Sequence, residues 1–171
     1  MDKLWAPWRI NYISSNKPQG NGLASSSQSQ LKAKGCIFCH AKKSQLNDYI
    51  IFKSKKSICL LNIYPYNNGH LLISPLRHIA DIDLMNEEEI LDMFKSLQRA
   101  KGLLGKVLKP QGYNLGFNLG RQAGAGITGH LHLHIVPRWV GDTNFMPVIG
   151  NTKVISQSLK ELSKRLKDAD S

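Results

Sequence analysis

The chain has 171 residues, 42% of them hydrophobic, which suits one folded domain with one core. No apolar run reaches the roughly 20 residues of a membrane span, and the N-terminus lacks the apolar stretch of a secretory signal, so we expect a cytoplasmic protein without membrane association. The net charge of +11 favours anionic partners, such as nucleotides, nucleic acid or an acidic surface.

The N-terminal end divides into an aromatic start and a polar stretch. Residues 1–13 carry Trp5 and Trp8 and are expected to pack on the domain. Residues 14–34 are rich in Ser, Gln, Asn and Gly, which is typical of a flexible linker or loop. Order resumes near Gly35, so residues 35–171 are expected to form a single domain.

The three cysteines divide into a close pair and an isolated residue. Cys36 and Cys39 have the spacing C-x-x-C, which in a reducing compartment more often holds a metal than a disulfide. The odd total also argues against a disulfide framework. Cys59 lies in the apolar run SICLLNIY and is expected to be a small core residue.

The middle of the chain predicts a hairpin followed by a long helix. Strand-forming residues fill positions 57–64, turn residues fill 65–69, and a returning strand is expected over 70–74. Asn86 can cap a helix that starts with three glutamates. Apolar residues recur along this helix at Ile90, Leu91, Phe94, Leu97, Leu104, Val107 and Leu108.

The C-terminal part predicts further strands, a loop and a final helix. Residues 113–119 form a strand candidate, and residues 120–129 (GRQAGAGITG) form a glycine-rich loop. An amphipathic helix is indicated by Val154, Leu159, Leu162 and Leu166. Because strands and helices do not alternate regularly, an α+β domain with a mostly antiparallel sheet fits best.

Three histidines occupy alternate positions after the loop, at His130, His132 and His134 in HLHLHIV. Side chains alternate between the faces of a strand, so the imidazoles share one face and the intervening apolar residues share the other. We expect the apolar set in the core and the imidazoles in a cleft or in solvent. An accidental pattern, a metal site and a catalytic row are the three interpretations.

The residues around the histidine row favour both metal and phosphate chemistry. A Cys2His2 site would fill all four zinc positions and leave none for a catalytic water, so zinc would be structural and would leave other histidines free. The glycines of the preceding loop let backbone N–H groups approach an anion closely. Phosphate beside imidazole indicates a covalent phosphohistidine-type intermediate.

HLHLHIV resembles the signature of the histidine-triad (HIT) family, His-x-His-x-His followed by apolar residues. LNIYPYNNGHLLISP is similar to the hairpin of that family, and NLGRQAGAGITGHLHLHIVPRW to its phosphate loop and triad strand. LWAPWR and GDTNF resemble the branch containing diadenosine tetraphosphate phosphorylases. The resemblance implies an antiparallel sheet flanked by helices, a homodimer, and transfer or hydrolysis at a nucleotide α-phosphate through a nucleotidyl-histidine.

The resemblance also implies catalytic roles for the matching positions. His132 would be the nucleophile, and His134 would contact the phosphate or the leaving group. His70 would lie beside the triad and help to orient it. Thr128 would line the phosphate site, and either Thr128 or His134 would supply a proton to the leaving group.

The implied substrate contacts lie on the loop and on the first hairpin. The backbone of Gly126 would line the phosphate site, with Asn118 and Gln122 nearby. Asn62 would hold the ribose hydroxyls, at a position where many relatives have aspartate. Zinc-containing members of the family imply a structural zinc site formed by Cys36, Cys39, His78 and His130, whereas His40 adjoins the pair without a family counterpart.

The acceptor of the nucleotidyl group stays open at this stage. Water would make the protein a hydrolase and inorganic phosphate would make it a phosphorylase, and the same residues serve both. A hydrolase of AMP phosphoramidates is the close alternative. A non-catalytic nucleotide-binding module agrees with the positive charge, but the aromatic content of 8% counts against a nucleic-acid platform. A hydrolase with zinc-bound water is a third alternative.

Overall fold

The computed structural model describes residues 36–43, 48–143 and 154–171. The strands are β1 (Ile50–Lys53), β2 (Ser57–Leu61), β3 (Leu71–Pro75), β4 (Gly112–Phe117) and β5 (Leu133–Arg138). The helices are α1 (Ile37–Lys43), α2 (Glu87–Leu108) and α3 (Leu159–Asp168), and 3-10 turns span Ile82–Leu84 and Arg121–Ala123. The expectations for residues 1–34 lie outside the described residues.

The five strands form one antiparallel sheet in the order β1-β2-β3-β5-β4, which confirms the predicted α+β class. Strand β3 is central because it pairs with β2 on one side and with β5 on the other. In the β3–β5 register Leu72 lies opposite His134, so residues just before β3 lie close to the histidine row. Strand β4 is an edge strand, and its partner is β5.

Apolar residues on both faces of the sheet are covered. Helices α2 and α3 cover one face, where Cys59, Ile73 and Ile135 are completely buried. Helix α1 packs on the other face, against Ile58 and Leu72. The prediction that Cys59 is a core residue is confirmed, and burial raises the pKa of its thiol.

Helix α2 begins where the sequence predicts. The Asn86 side chain accepts from the Glu89 backbone N–H, and the Glu89 carboxylate accepts from the Asn86 N–H, which completes a capping box. Arg77 also donates to Glu89 and joins the helix start to the end of β3. These interactions lower the pKa of Glu89 to about 2.

The predicted apolar face of α2 is only partly right. The sheet-facing stripe consists of Met93, Leu97, Ala100, Leu103 and Leu104. Ile90, Leu91 and Phe94 are instead 41%, 57% and 54% exposed. The first half of this helix carries more apolar residues than one stripe can bury, so a patch is left on its outer side.

Element ends also differ from the expectations. Strand β2 ends at Leu61 rather than three residues later, since the chain turns towards PYNNG. The predicted loop 120–129 contains a 3-10 turn, and β5 begins only at Leu133. Val154 is 65% exposed and precedes α3, so its assignment to that helix is wrong. None of the described helices is both long and apolar enough to cross a membrane.

Candidate active site

The predicted alternation of the histidine segment is present, but the imidazoles are more buried than expected. Leu131, Leu133 and Ile135 are at most 5% exposed and lie in the interior. His130, His132 and His134 are also buried, with exposures of 1%, 6% and 8%, so the expectation of a cleft or solvent underestimated their enclosure.

Two aromatic rings enclose the histidine row. Phe38 lies between Cys36 and Cys39 in the first turn of α1. Its ring is 5.1 Å from the ring of His130 and 5.2 Å from that of His132. The Tyr66 ring stacks on His134 at 5.5 Å, with an interplanar angle of 9°. No role for either ring was predicted from the sequence, although Phe38 lies inside C-x-x-C and Tyr66 lies in the PYNNG turn.

The hydrogen bond of His132 determines which of its nitrogens can react. Its Nδ1 lies 2.8 Å from the carbonyl oxygen of His130. A carbonyl only accepts, so Nδ1 carries the proton and Nε2 keeps its lone pair. Burial lowers the pKa of His132, although the bond to the His130 carbonyl opposes this effect. The ring is therefore neutral at pH 7, with Nε2 as a nucleophilic nitrogen.

His70 and His134 form a second hydrogen-bonded pair beside this ring. The backbone N–H of Tyr66 donates to Nδ1 of His70 at 3.0 Å, so the proton of a neutral His70 is on Nε2. His70 Nε2 then donates to Nδ1 of His134 at 2.9 Å, which leaves the proton of His134 on its own Nε2.

The Nε2 atom of His134 is a buried donor with no hydrogen-bond partner among the described residues. Burial lowers the pKa of His134 to about 4, so the ring is neutral at pH 7. A buried donor without a partner is costly unless a ligand satisfies it. The structure therefore brings together one imidazole with a lone pair and another with an N–H group.

Asn62 joins this pair through its side chain. Its Nδ2 lies 3.2 Å from Nδ1 of His70, and its Oδ1 accepts from the Tyr64 backbone N–H at 2.9 Å. The family resemblance implies that Asn62 contacts a ribose. In this structure its polar atoms hold the turn and His70 in place, so the ribose contact remains a prediction.

The glycine-rich loop lies between β4 and the histidine segment and is largely exposed. Gly120 and Gly124 have φ angles of +82° and +88°, which side chains other than glycine rarely adopt. The side-chain amide of Asn118, before the loop, donates to the backbone carbonyl of Gly124 within it at 3.5 Å. The predicted phosphate residues Gln122, Gly126 and Thr128 are all exposed on this loop, and their roles remain predictions.

The four predicted metal ligands converge. Nδ1 of His130 lies 3.2 Å from Sγ of Cys36 and 3.6 Å from Sγ of Cys39, and Nδ1 of His78 lies 3.3 Å from Sγ of Cys39. The two histidine Nδ1 atoms are 3.2 Å apart, and all four ligand atoms lie within 4.8 Å of one another. His40 is exposed and is not a member of the cluster.

The donor set fits zinc. Tetrahedral zinc with bonds of about 2.0–2.3 Å places its ligand atoms roughly 3.3–3.8 Å apart, which is close to the observed distances. His130 Nε2 donates to the carbonyl of Pro75 at 2.9 Å, so its Nδ1 has a lone pair facing the cysteines. Outer hydrogen bonds of this kind orient metal-binding imidazoles.

An antiparallel sheet that carries a row of buried histidines beside a Cys2His2 cluster is the arrangement that the histidine-triad resemblance implies. The sequence profile of the HIT domain matches residues 43–140, and the chain belongs to the histidine-triad (HIT) family. AP-4-A phosphorylase of Mycobacterium tuberculosis is 34% identical over 169 residues, covering 97% of this chain and 83% of that protein.

Two further relatives show how widely the similarity extends. The asymmetrical bis(5'-nucleosyl)-tetraphosphatase of Schizosaccharomyces pombe is 28% identical over 58% of this chain and 54% of that protein. A Zn-bound histidine triad family protein from Mycobacterium smegmatis has a similar structure, with a TM-score of 0.66 and 25% identity over 81% of this chain and 94% of that chain.

Proposed function

We propose that this protein cleaves dinucleoside polyphosphates at an α-phosphate through a nucleotidyl-His132 intermediate, and that inorganic phosphate is its preferred acceptor. The observation that carries the proposal is the hydrogen bond between Nδ1 of His132 and the carbonyl of His130, because it leaves Nε2 with a lone pair. The similarity to AP-4-A phosphorylase over 97% of the chain supports the substrate class and the acceptor.

In the first step Nε2 of His132 attacks the α-phosphorus and forms a P–N bond. The P–O bond to the leaving nucleotide breaks, and its electron pair stays on the leaving oxygen. Attack makes the His132 ring cationic, and the His130 carbonyl stabilises that charge through Nδ1–H. The unpartnered Nε2–H of His134 can donate to the leaving oxygen, with Thr128 as the alternative source of a proton.

In the second step an acceptor oxygen attacks phosphorus and the P–N bond breaks, which restores neutral His132. The glycine-rich loop, with Asn118, Gln122, Gly126 and Thr128, is proposed to hold the phosphate groups, and Asn62 the ribose. After the nucleotide leaves, its anion site can bind inorganic phosphate and orient it for attack. Phosphate would then compete with the more concentrated water.

We also propose that Cys36, Cys39, His78 and His130 hold zinc. Four protein ligands complete a tetrahedral site, so the metal would be structural, and a zinc-bound water is the less suitable alternative. Within the chain, the cluster joins α1 to the histidine row. Phe38 on that helix contacts His132, so the ligands also help to place the nucleophile.

The exposed patch on α2 supports the implied homodimer. Ile90, Leu91 and Phe94 line an apolar groove on the outer side of the helix. A two-fold axis at Leu91 would place Glu87 of one copy opposite Lys95 of the other, because these residues lie one turn on either side of it. A second copy of this chain is therefore the proposed occupant of the patch.

The acceptor is tested by product analysis on diadenosine tetraphosphate, with and without millimolar inorganic phosphate. A phosphorylase forms ADP and ATP when phosphate is present, whereas a hydrolase forms AMP and ATP at every phosphate concentration. The second result would overturn the phosphate acceptor. An AMP phosphoramidate assayed in parallel tests the close alternative, which would be favoured if it were cleaved much faster than diadenosine tetraphosphate.

A further inference from the structure

A cluster of polar groups lies just beyond the C-terminal end of β5, around the carboxylate of Asp142. Its Oδ2 accepts from Arg138 Nε at 2.7 Å, from the Trp139 backbone N–H at 3.0 Å and from Asn67 Nδ2 at 2.8 Å. Its Oδ1 accepts from Arg138 Nη2 at 2.7 Å. The carboxylate is 9% exposed, so water competes little for these bonds.

Asn67 connects this carboxylate to the hairpin turn before His70. Besides its bond to Asp142, its Nδ2 donates to the carbonyl of Pro137 at 3.1 Å. The backbone carbonyl of Asn67 accepts from the His70 N–H at 3.2 Å. The preceding residue, Tyr66, supplies the backbone N–H that donates to Nδ1 of His70. Asp142 therefore holds the segment whose backbone surrounds His70.

Two donors determine where the protons of the His70–His134 pair reside: the Tyr66 N–H and the Asn62 amide, which is itself held by the Tyr64 N–H of the same turn. With both in place, His70 Nδ1 accepts, and His134 keeps its proton on Nε2. If the turn moved and His70 were protonated on Nδ1, its bare Nε2 would face His134. His134 would then donate from Nδ1, and its Nε2 would become an acceptor. The position of this turn thus decides whether His134 offers a donor.

We propose that Asp142 is a positioning residue for the leaving-group step: through Asn67 and Tyr66 it fixes the tautomers in which His134 presents Nε2–H. The role in catalysis rests on the proposed function, while the tautomers are a property of the free protein. The sequence contained the position in GDTNF, and nothing in the motif by itself connected it with His70.

The test uses Asp142→Asn in the full chain. Both oxygens of the Asp142 carboxylate accept from Arg138. In Asp142→Asn, the amide NH2 replaces one of these oxygens and faces an Arg138 N–H, so two donors oppose each other. Asn114→Ala is the matched control, because it removes the other Arg138 partner, at 2.7 Å, on the side away from Asn67. Asn67→Ala removes the connection while leaving the Arg138–Asp142 pair intact, and serves if Asp142→Asn does not fold.

Long-range ¹H–¹⁵N NMR of the histidine rings, without substrate, reports the tautomers directly. Wild type and Asn114→Ala should show His70 and His134 protonated on Nε2, and Asp142→Asn or Asn67→Ala should show a population protonated on Nδ1. Unchanged tautomers in a folded Asp142→Asn or Asn67→Ala protein would overturn the proposal, whatever reaction the protein catalyses.

Kinetics then separates positioning from general damage. With an AMP phosphoramidate, whose amine must be protonated to leave, Asp142→Asn should lower kcat about 100-fold, the low end of the range for general acid catalysis, with KM within about threefold. A nitrophenyl ester of AMP, whose leaving group needs no proton, should lose much less. Equal losses for both substrates would overturn the leaving-group role. Absence of diadenosine tetraphosphate turnover by wild type would refute the proposed function and leave the NMR result to decide the tautomers.

Discussion

Nδ1 of His132 donates to the backbone carbonyl of His130 at 2.8 Å, while the side chain of His130 faces the two cysteines. One residue therefore belongs to both parts of the site. Its backbone sets the tautomer of the proposed nucleophile, and its Nδ1 completes the Cys2His2 cluster. This connection leads to separate expectations for loss of the nucleophile and for loss of a metal ligand.

Replacing the nucleophile should remove turnover and leave the fold. His132→Ala is expected to lower kcat at least about 10⁴-fold, as loss of a catalytic nucleophile does elsewhere. His40→Ala is the matched control, since that histidine is exposed and lies outside the metal cluster. Steady-state assays with circular dichroism check this. Turnover by a folded His132→Ala protein within a few-fold of wild type would exclude His132 as nucleophile.

Loss of a metal ligand should affect stability more than intrinsic chemistry. Protein purified without added zinc should contain one zinc per chain by elemental analysis. Cys39→Ser should lose it and melt about 10 °C lower, because metal binding contributes to folding. Cys59→Ser, at the buried cysteine outside the cluster, should keep its zinc. A wild-type protein that is metal-free and equally stable would refute the zinc site.

Stability should depend on pH through the buried imidazole of His134. Its pKa is about 4 in the folded protein, against about 6.5 in an unfolded chain. Between these values the unfolded chain binds the additional proton, so the free energy of unfolding falls as the pH is lowered through this window, by up to about 1.4 kcal/mol per pH unit.

Urea unfolding from pH 7 to pH 4 measures this slope. His134→Gln removes the titrating group and should give a shallower dependence on pH than wild type. The remaining slope reports the other groups of the protein, including His130, whose pKa burial also lowers to about 4. Parallel curves for the two proteins would show that His134 titrates at the same pH in the folded and unfolded states.

A charge in the apolar patch of α2 should separate the proposed dimer. Wild type should sediment at twice the chain mass of 19.1 kDa, and Phe94→Glu should shift towards the single-chain mass. Val140→Glu is the control, because Val140 is 88% exposed and lies outside the patch. A monomeric wild type, or a Phe94→Glu protein that stays dimeric, would contradict this use of the patch.

The local signals in the sequence predicted the elements well but not the enclosure of the site. Capping by Asn86 and the alternation around His132 depend on neighbouring residues, and both are present in the structure. The C-x-x-C spacing predicted two metal ligands, Cys36 and Cys39. His78 and His130 were predicted only through the family resemblance. Burial of the imidazoles depends on Phe38 and Tyr66, which reach them from distant parts of the chain.

Two other features could not be predicted, because they depend on how much of each surface is covered. Helical spacing placed Phe94 on the expected core face, but it could not show that the sheet-facing stripe would begin at Met93 and leave Phe94 exposed. The bond between Asp142 and Asn67 joins residues 75 positions apart. No local pattern indicates a polar contact over that separation. The proposed tautomers of His70 and His134 depend on this contact.

The central claim is the bond between His132 and a nucleotidyl group. Wild-type protein mixed with radiolabelled diadenosine tetraphosphate, without phosphate, is quenched in base within milliseconds, digested and analysed by mass spectrometry. We expect one adenylate on the peptide that contains His132, stable in base and lost in acid, and none on His132→Ala. Adenylate on another residue, or turnover without any covalent adenylate, would contradict the account.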